Sequence, residues 1–214
     1  MAYSMTRKEL AKKAVELLKT EYPDAICSLN YSDPFQLLIA TRLSAQCTDA
    51  RVNMVTPALF EVYPTAQKMA NAELSRVEEL IKTCGLYKTK AKDLIEIGKG
   101  IVENFGGRVP DTIEELTTLS GVGRKTANLI IGDVYGKPAV VTDTHLIRLA
   151  NRIGLTKEKE PFKVEKDLKK ILPSEESNDF CHRTVLHGRA VCTARKAYCE
   201  KCVLKEICKK VNVK

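Results

Sequence analysis

The chain has 214 residues, of which 44% are hydrophobic and 29% charged, a composition typical of an ordinary soluble protein of one large or two small domains. Its net charge of +8 and pI near 9.0 indicate a polyanionic partner. No apolar run is long enough to span a membrane, and residues 1–10 lack the hydrophobic core of a secretory signal, so we expect a cytoplasmic protein. Eight cysteines in such a chain favour reduced thiols or metal ligands over disulfides.

Helix start and stop signals recur along the chain, whereas strand signals are almost absent. Thr6 and Glu9 form a capping box that predicts the first helix. Asp33 before Pro34 predicts the second, and glycines predict where later helices end. The further predicted helical segments are 72–83, 88–105, 111–119, the stretch from the glycine turn at 121–123 to Tyr135, 143–152, and the periodic stretches around 164–171 and beyond Phe180. The sequence therefore predicts an all-α fold.

Four cysteines near the C-terminus are closely spaced: Cys192, six residues, Cys199, two residues, Cys202, five residues, Cys208. Four thiolates within so short a segment can surround one metal centre. Zinc sites usually use two close pairs separated by a longer loop, and only the middle spacing here is of that kind. The spacing therefore favours an iron–sulfur cluster, with zinc as the alternative.

The segment between the first two of these cysteines carries Arg195 and Lys196, and residues 181–214 contain nine Lys or Arg against two Glu. A loop tied to a metal at both ends would hold the two cations in place at little entropic cost, which suits contacts to DNA phosphates. A solvated basic surface and an electron carrier are the alternatives. His182 and His187 are five residues apart and do not share a helical face, so we expect both to be structural.

The segment 119–126 places Gly121 and Gly123 in a sharp turn that runs into a helix. Backbone N–H groups at a helix N-terminus bind phosphate well, because the aligned donors and the helix dipole both favour an anion. A nucleotide-binding loop is excluded, since Thr118 and Thr126 stand where the phosphate-loop and dinucleotide patterns need glycine. A clamp on a DNA backbone is the remaining interpretation.

Lys125 lies in the first turn of that helix, beside Arg124. The positive helix end and the neighbouring guanidinium both disfavour the charged form of its amine, and a neutral amine can act as a nucleophile and form a Schiff base. A further phosphate contact is the alternative role. Asp143 opens the next predicted helix, where an N-cap is the ordinary role. A carboxylate there could also stabilise a developing sugar cation and accept a proton.

The cysteine spacing, the hairpin lysine and the downstream segment 143–145 together resemble the endonuclease III family of helix-hairpin-helix DNA glycosylases. The resemblance runs from about Leu10 to the last cysteine. It implies a two-domain fold, with a six-helix barrel over residues 27–137 and an iron–sulfur cluster domain formed by residues 1–26 and 138–214. It also implies a [4Fe–4S] cluster in place of zinc. The implied ligands are Cys192, Cys199, Cys202 and Cys208.

By this resemblance the protein is a bifunctional DNA glycosylase and abasic-site lyase of base excision repair. Lys125 would attack C1′ of a flipped nucleotide, release an oxidised pyrimidine and form a Schiff base, and β-elimination would then cut the strand. Asp143 would assist the departure of the base and the proton transfer. Gln46 and Leu86 match the residues that fill the gap in the duplex, although the ordinary role of a leucine is core packing.

The implied partner is double-stranded DNA with damaged bases or abasic sites, bound across a cleft between the two domains by a monomer that associates with the nucleoid. The residues expected to contact DNA are Gln46, Leu86, Gly121, Gly123, Arg124, Arg195 and Lys196. Only 6% of the residues are aromatic and tryptophan is absent, so a stacking platform for single strands is not expected.

Two other functions are alternatives. The adenine-mismatch branch of these glycosylases shares the cluster and hairpin, but it lacks the hairpin lysine. It also needs a glutamate ahead of the Gln46 segment, and residues 34–48 contain no acidic residue. A non-catalytic iron–sulfur protein that binds DNA or senses redox state would not depend on Lys125 and would form no covalent complex with DNA.

Overall fold

The computed structural model describes residues 5–213; residues 1–4 and Lys214, at the outer ends of the predicted cluster domain, lie outside the described residues. Within 5–213 the protein is helical and contains no strand, which confirms the predicted all-α class. One isolated β-bridge joins Cys192 to Ala197. No helix in this part of the chain has the length and apolar character needed to cross a bilayer.

Eleven α-helices occur among the described residues, with short 3-10 turns at Ser174–Glu176 and Cys199–Lys201. The helices are α1 (Arg7–Glu21), α2 (Pro34–Leu43), α3 (Asp49–Val62), α4 (Ala66–Ala70), α5 (Leu74–Leu80), α6 (Tyr87–Phe105), α7 (Ile113–Leu116), α8 (Arg124–Asp133), α9 (Thr144–Ile153), α10 (Pro161–Lys169) and α11 (Ser177–Ala190). They belong to two compact units. The central unit, Cys27–Tyr135, contains α2 to α8. The terminal unit combines the chain up to Ile26 with that from Gly136 onward, and contains α1 and α9 to α11.

The helix caps that the sequence predicts at the first two helices are present. Thr6 accepts a hydrogen bond from the backbone N–H of Glu9, whose carboxylate accepts one from Thr6 N at 2.8 Å. Asp33 caps α2 by accepting from the N–H of Gln36 at 2.9 Å, and Pro34 occupies the first turn. Each cap gives a partner to an N–H group that has none inside its own helix.

Some predicted boundaries differ from the structure. The segment 72–83 is helical only over α5, because the carboxylate of Glu73 caps it and the chain then leaves the helix in turns after Leu80. The segments 111–119 and 121–135 are likewise helical only over α7 and α8. The sequence signals do not predict α3, since it contains Pro57, a residue that normally ends a helix.

Helix α6 forms the core of the central unit and buries Leu94, Ile97 and Ile101 completely. Gly98 on the same helix allows α4 to approach closely, since a Cβ at this position would lie 2.7 Å from Ala70 N. The nearest atoms all belong to the backbone of α4, which cannot move away as a flexible side chain would.

In the terminal unit, the buried Arg183 on α11 ties α11 to the chain before it. Its guanidinium donates to Glu176 at 2.7 Å and to Asp179 at 3.1 Å. Glu176 also pairs with Lys19 at the end of α1. Since Arg183 is nearly fully buried, these carboxylates supply the partners that a buried charge requires.

We predict that Gly98→Ala lowers the free energy of unfolding by about 1–3 kcal/mol, because the added methyl group overlaps the backbone of α4. Gly100→Ala, two residues further along α6, is the matched control: its Cβ would meet only the Leu119 side chain, at 3.0 Å. That variant should stay within about 1 kcal/mol of the wild type. Thermal and urea unfolding of both variants provide the measurement, and an equal loss in the two would contradict the interpretation.

Candidate active site and metal centre

The turn at Gly121 requires glycine for two reasons. Its φ is +68°, a left-handed conformation that disfavours residues with a side chain. A Cβ would also lie 2.7 Å from Nε of Arg42, which packs against the turn. Arg42 in turn pairs with Asp93 on α6, so one ion pair holds α2 and α6 next to the hairpin.

The N-terminus of α8 is open at Gly123. This residue has extended backbone geometry at the N-cap position, and no side chain caps the helix. A Cβ at Gly123 would meet nothing within 4 Å. The first N–H groups of α8 therefore lack the side-chain oxygen that usually covers a helix start, and N–H groups at such a position favour an anion.

Lys125 lies in the first turn of α8 and is exposed, whereas Arg124 is half-buried. The backbone carbonyl of Arg124 accepts a hydrogen bond from the side chain of Asn128, a buried residue, at 3.1 Å. The fold of this turn thus places a flexible primary amine one residue beyond an open helix end.

Asp143 lies in the terminal unit and caps α9. Its Oδ1 accepts a hydrogen bond from the N–H of Leu146 at 2.7 Å, as the N-cap interpretation requires. The side chain is half-buried, and the cap uses only one of its two carboxylate oxygens. The cap fixes the orientation of this carboxylate at the start of the helix.

His145 and Arg148 continue from Asp143 along α9, and the sequence analysis assigned no role to either. The guanidinium of Arg148 donates to His145 Nδ1 at 3.1 Å and to the carbonyl oxygens of Gly188 and Cys192, at 3.0 and 3.1 Å. Burial lowers the pKa of His145, and the nearby Asp143 opposes this shift. A hydrogen-bonded series therefore runs along α9 to the first of the four cysteines. The only sequence signal for this series is that His145 and Arg148 are three residues apart, which places them on the same face of a helix.

Gln46 and Leu86 share an unusual backbone conformation. Both have left-handed φ values, +55° and +59°, although neither is glycine. Leu86 is 61% exposed, so core packing does not explain it. The two loops touch, since a Cβ at Gly85 would lie 3.3 Å from the carbonyl oxygen of Gln46. Below them the buried Lys90 donates to the carbonyl of Leu43 at 2.8 Å, joining α6 to the end of α2.

The four clustered cysteines line a single small pocket that is partly open to solvent. Arg152, Lys205 and Lys210 also line it and bring positive charge to the thiols. Burial, together with the charge of the neighbouring thiols, raises the pKa of Cys202 to about 11. Among residues 5–213, no three His, Cys, Asp or Glu side chains are grouped as ligands of a metal ion. A cubane cluster needs four sulfur ligands around one space, and all four cysteines line this pocket.

Arg152 on α9 organises the segment that carries the cysteines. Its guanidinium donates to Sγ of Cys192 at 3.2 Å and to the carbonyl of Thr193 at 2.7 Å. Its own carbonyl oxygen accepts from the N–H of Val211 at 3.0 Å and from the thiol of Cys208 at 3.4 Å. One residue thus holds both ends of the cysteine segment.

The loop with Arg195 and Lys196 has an internal structure of its own. Thr193 Oγ1 donates to the carbonyl of Lys196 at 2.7 Å and accepts from its N–H at 3.1 Å. Both cationic side chains are exposed, and Nζ of Lys196 lies 4.9 Å from the ring centre of Tyr198. The loop therefore presents two cations to solvent on a constrained backbone.

The sequence analysis treats His187 as structural, and it does not predict the contact that this residue makes with a cysteine. His187 is buried, and its Nε2 lies 3.2 Å from Sγ of Cys202. Burial lowers the pKa of His187 to about 4, so the ring is neutral at physiological pH. The only sequence signal for this contact is that His187 precedes the first of the clustered cysteines by five residues.

Comparisons with known proteins extend these observations. A family model described as HhH-GPD superfamily base excision DNA repair protein matches residues 39–174. Endonuclease III of Synechocystis sp. is 48% identical over 204 residues, covering 95% of this chain and 93% of that protein. Endonuclease III of Escherichia coli is 40% identical over 191 residues, covering 89% and 90%.

Solved structures give the same result. A trapped covalent intermediate of endonuclease III with DNA matches with a TM-score of 0.88 and 38% identity, covering 97% of both chains. A thermostable thymine-DNA glycosylase shares the fold, with a TM-score of 0.86 and 24% identity. The fold and site therefore define a base excision DNA repair protein of the HhH-GPD superfamily. Within that superfamily the chain belongs to the endonuclease III family, and it is a DNA glycosylase with abasic-site lyase activity.

We predict stability losses of different size at the two hairpin glycines. Gly121→Ala should lower the free energy of unfolding by about 2 kcal/mol or more, because it adds left-handed strain and an overlap with Arg42. Gly123→Ala should lower it by less than about 1 kcal/mol, since its backbone is extended and the space around it is empty. Urea unfolding of the pair checks this, and a larger loss at Gly123 would refute the assignment.

Proposed function

We propose that the protein removes oxidised pyrimidines from duplex DNA through a Schiff base on Lys125 and then cleaves the strand by β-elimination. The observation that carries this proposal is the position of Lys125, an exposed amine one residue past the open N-terminus of α8. A phosphate bound at that helix end would hold the DNA backbone next to the amine, and proximity is a large part of catalysis.

The proposed chemistry uses one amine and one carboxylate. Nζ of Lys125 attacks C1′ of the flipped nucleotide, and the bond between C1′ and the damaged base breaks, with the electron pair leaving on the base. Loss of the amine protons and opening of the sugar ring give the Schiff base. Removal of a proton from C2′ then expels the 3′ phosphate, which cleaves the strand. The carboxylate of Asp143 stabilises the positive charge that develops on the sugar and accepts a proton.

We assign Gln46 and Leu86 to filling the gap left by the flipped nucleotide. Extrusion of a nucleotide costs a few kcal/mol, and side chains inserted into the stack offset that cost. Supporting this assignment, both residues hold a strained backbone conformation and an exposed side chain. Strain kept at two adjoining loops is more typical of a functional surface than of a packing element.

We assign Cys192, Cys199, Cys202 and Cys208 as the ligands of a [4Fe–4S] cluster. The terminal unit is therefore assigned as the cluster domain, and the central unit as the helical barrel. These four cysteines would hold the segment 192–208 around one centre, and the cluster would supply electron-transfer chemistry there. The adjoining loop would then present Arg195 and Lys196 to DNA phosphates, as Gly121, Gly123 and Arg124 would at the hairpin. The partner is damaged or abasic double-stranded DNA, bound by a monomer associated with the nucleoid.

We predict that Lys125→Gln lowers strand cleavage at a thymine glycol by a factor on the order of 10⁴ or more, as loss of a covalent nucleophile does in other enzymes. Borohydride trapping should give a covalent protein–DNA band for the wild type and none for the variant. Binding to damaged duplex should persist in the variant. Lys12→Gln, which removes an exposed lysine from α1, is the charge-matched control and should retain the band.

The same experiment separates the alternative functions. A covalent band that survives in Lys125→Gln would place the nucleophile elsewhere. Tight binding without a band in the wild type, across a panel of oxidised bases and an abasic site, would favour a non-catalytic DNA-binding protein.

We predict that Lys196→Ala weakens DNA binding and lowers the slope of log K against log salt concentration by about 0.9, the value for one phosphate contact. Lys163→Ala on α10 removes an equally exposed cation and should leave the slope unchanged. Fluorescence anisotropy at several salt concentrations gives both values. Identical slopes in the two variants would show that Lys196 belongs to a solvated basic surface and makes no phosphate contact.

A further inference from the structure

A buried pair of side chains reaches one of the four cysteines from outside the cysteine segment. His187 on α11 is 1% exposed, and its Nε2 lies 3.2 Å from Sγ of Cys202. Its other ring nitrogen, Nδ1, lies 3.1 Å from the hydroxyl of Tyr22, the C-cap residue of α1. The two rings meet edge to face, with centroids 5.8 Å apart. The order of contacts is therefore hydroxyl, imidazole, sulfur.

The directions of these hydrogen bonds follow from the proposed cluster, on which this inference rests. A cysteine that binds iron is a thiolate and has no proton to donate, so the hydrogen between His187 and Cys202 belongs to Nε2. A neutral imidazole with hydrogen on Nε2 has a lone pair on Nδ1. Nδ1 must then accept, and the hydroxyl of Tyr22 donates. Tyr22 thus selects the tautomer that can donate to the sulfur.

We propose that His187 is a positioning residue for the cluster ligand Cys202, with Tyr22 fixing its tautomer, and that the pair sets the electron affinity of the cluster. A metal ligand is commonly oriented by a hydrogen bond from a neighbouring group, and loss of that neighbour weakens the site. Here the neighbours come from α1 and α11, so the two helices position a ligand that lies in neither.

The electronic consequence has a definite sign. A donor N–H withdraws electron density from the thiolate sulfur, which favours the cluster state that carries one more electron. The couple transfers one electron and no atoms, and an electrode supplies that electron in the measurement. Removing the donor should therefore lower the reduction potential.

The full chain isolated with its cluster provides the test, by redox titration and by visible absorbance near 400 nm. His187→Phe keeps a buried aromatic ring and removes the donor, and Tyr22→Phe removes only a hydroxyl. We expect His187→Phe to lower the ratio of reduced to oxidised cluster about tenfold at a fixed potential, which for one electron equals about 59 mV. Tyr22→Phe should also lower the ratio of reduced to oxidised cluster, but by a smaller factor. His187→Gln restores an N–H near the sulfur and should recover part of the shift.

Tyr31→Phe in the central unit is the matched control, because it also removes a tyrosine hydroxyl, and it should leave the potential unchanged. A wild-type potential in His187→Phe overturns the proposal. If that variant does not fold, a wild-type potential in Tyr22→Phe overturns it equally. Wild-type protein that contains zinc, or no iron, refutes the proposed cofactor itself, and iron analysis distinguishes that outcome from failure of this inference alone.

Discussion

The segment that carries the four cysteines buries almost no apolar side chains, and much of the terminal unit is arranged to compensate for this. After α11, Leu204 alone among the described hydrophobic residues lies in the core. Hydrophobic burial is the dominant stabilising contribution to folding, and here it is nearly unavailable. The segment is held instead by hydrogen bonds from Arg152, and the proposed cluster would add four covalent ties. This arrangement explains why a helix as far from the C-terminus as α9 carries so many polar contacts.

The hairpin follows a different principle, because the function proposed for it depends on the absence of side chains at its two glycines. Gly121 makes the turn and admits the guanidinium of Arg42, whereas Gly123 leaves the start of α8 without a cap. Most other helices of the chain begin with a side-chain cap, as α1 and α2 do. Helices α6 and α11 also begin without a side-chain cap, but only at α8 does a glycine stand at the N-cap position, where a helix start favours an anion.

Much of the fold could be predicted because caps and glycine stops are local. Each of these signals acts within one turn of its own helix, as Thr6, Asp33 and Gly154 do, so its effect can be predicted from the neighbouring residues of the sequence. The contact of His187 could not be predicted, since Cys202 lies 15 residues away and meets it only through the packing of α11. The exposure of Leu86 could be expected only from the family resemblance, because no local sequence pattern marks a left-handed leucine.

The left-handed backbone at Gln46 and Leu86 bears on how such a protein responds to selection. A side chain in this conformation costs roughly 1–2 kcal/mol, and glycine at either position would relieve it. A search for heat-resistant variants would therefore favour glycine at both sites, and would remove the two side chains assigned to the DNA duplex. Stability and repair would then be improved by opposite substitutions, so thermal screening alone would select against activity.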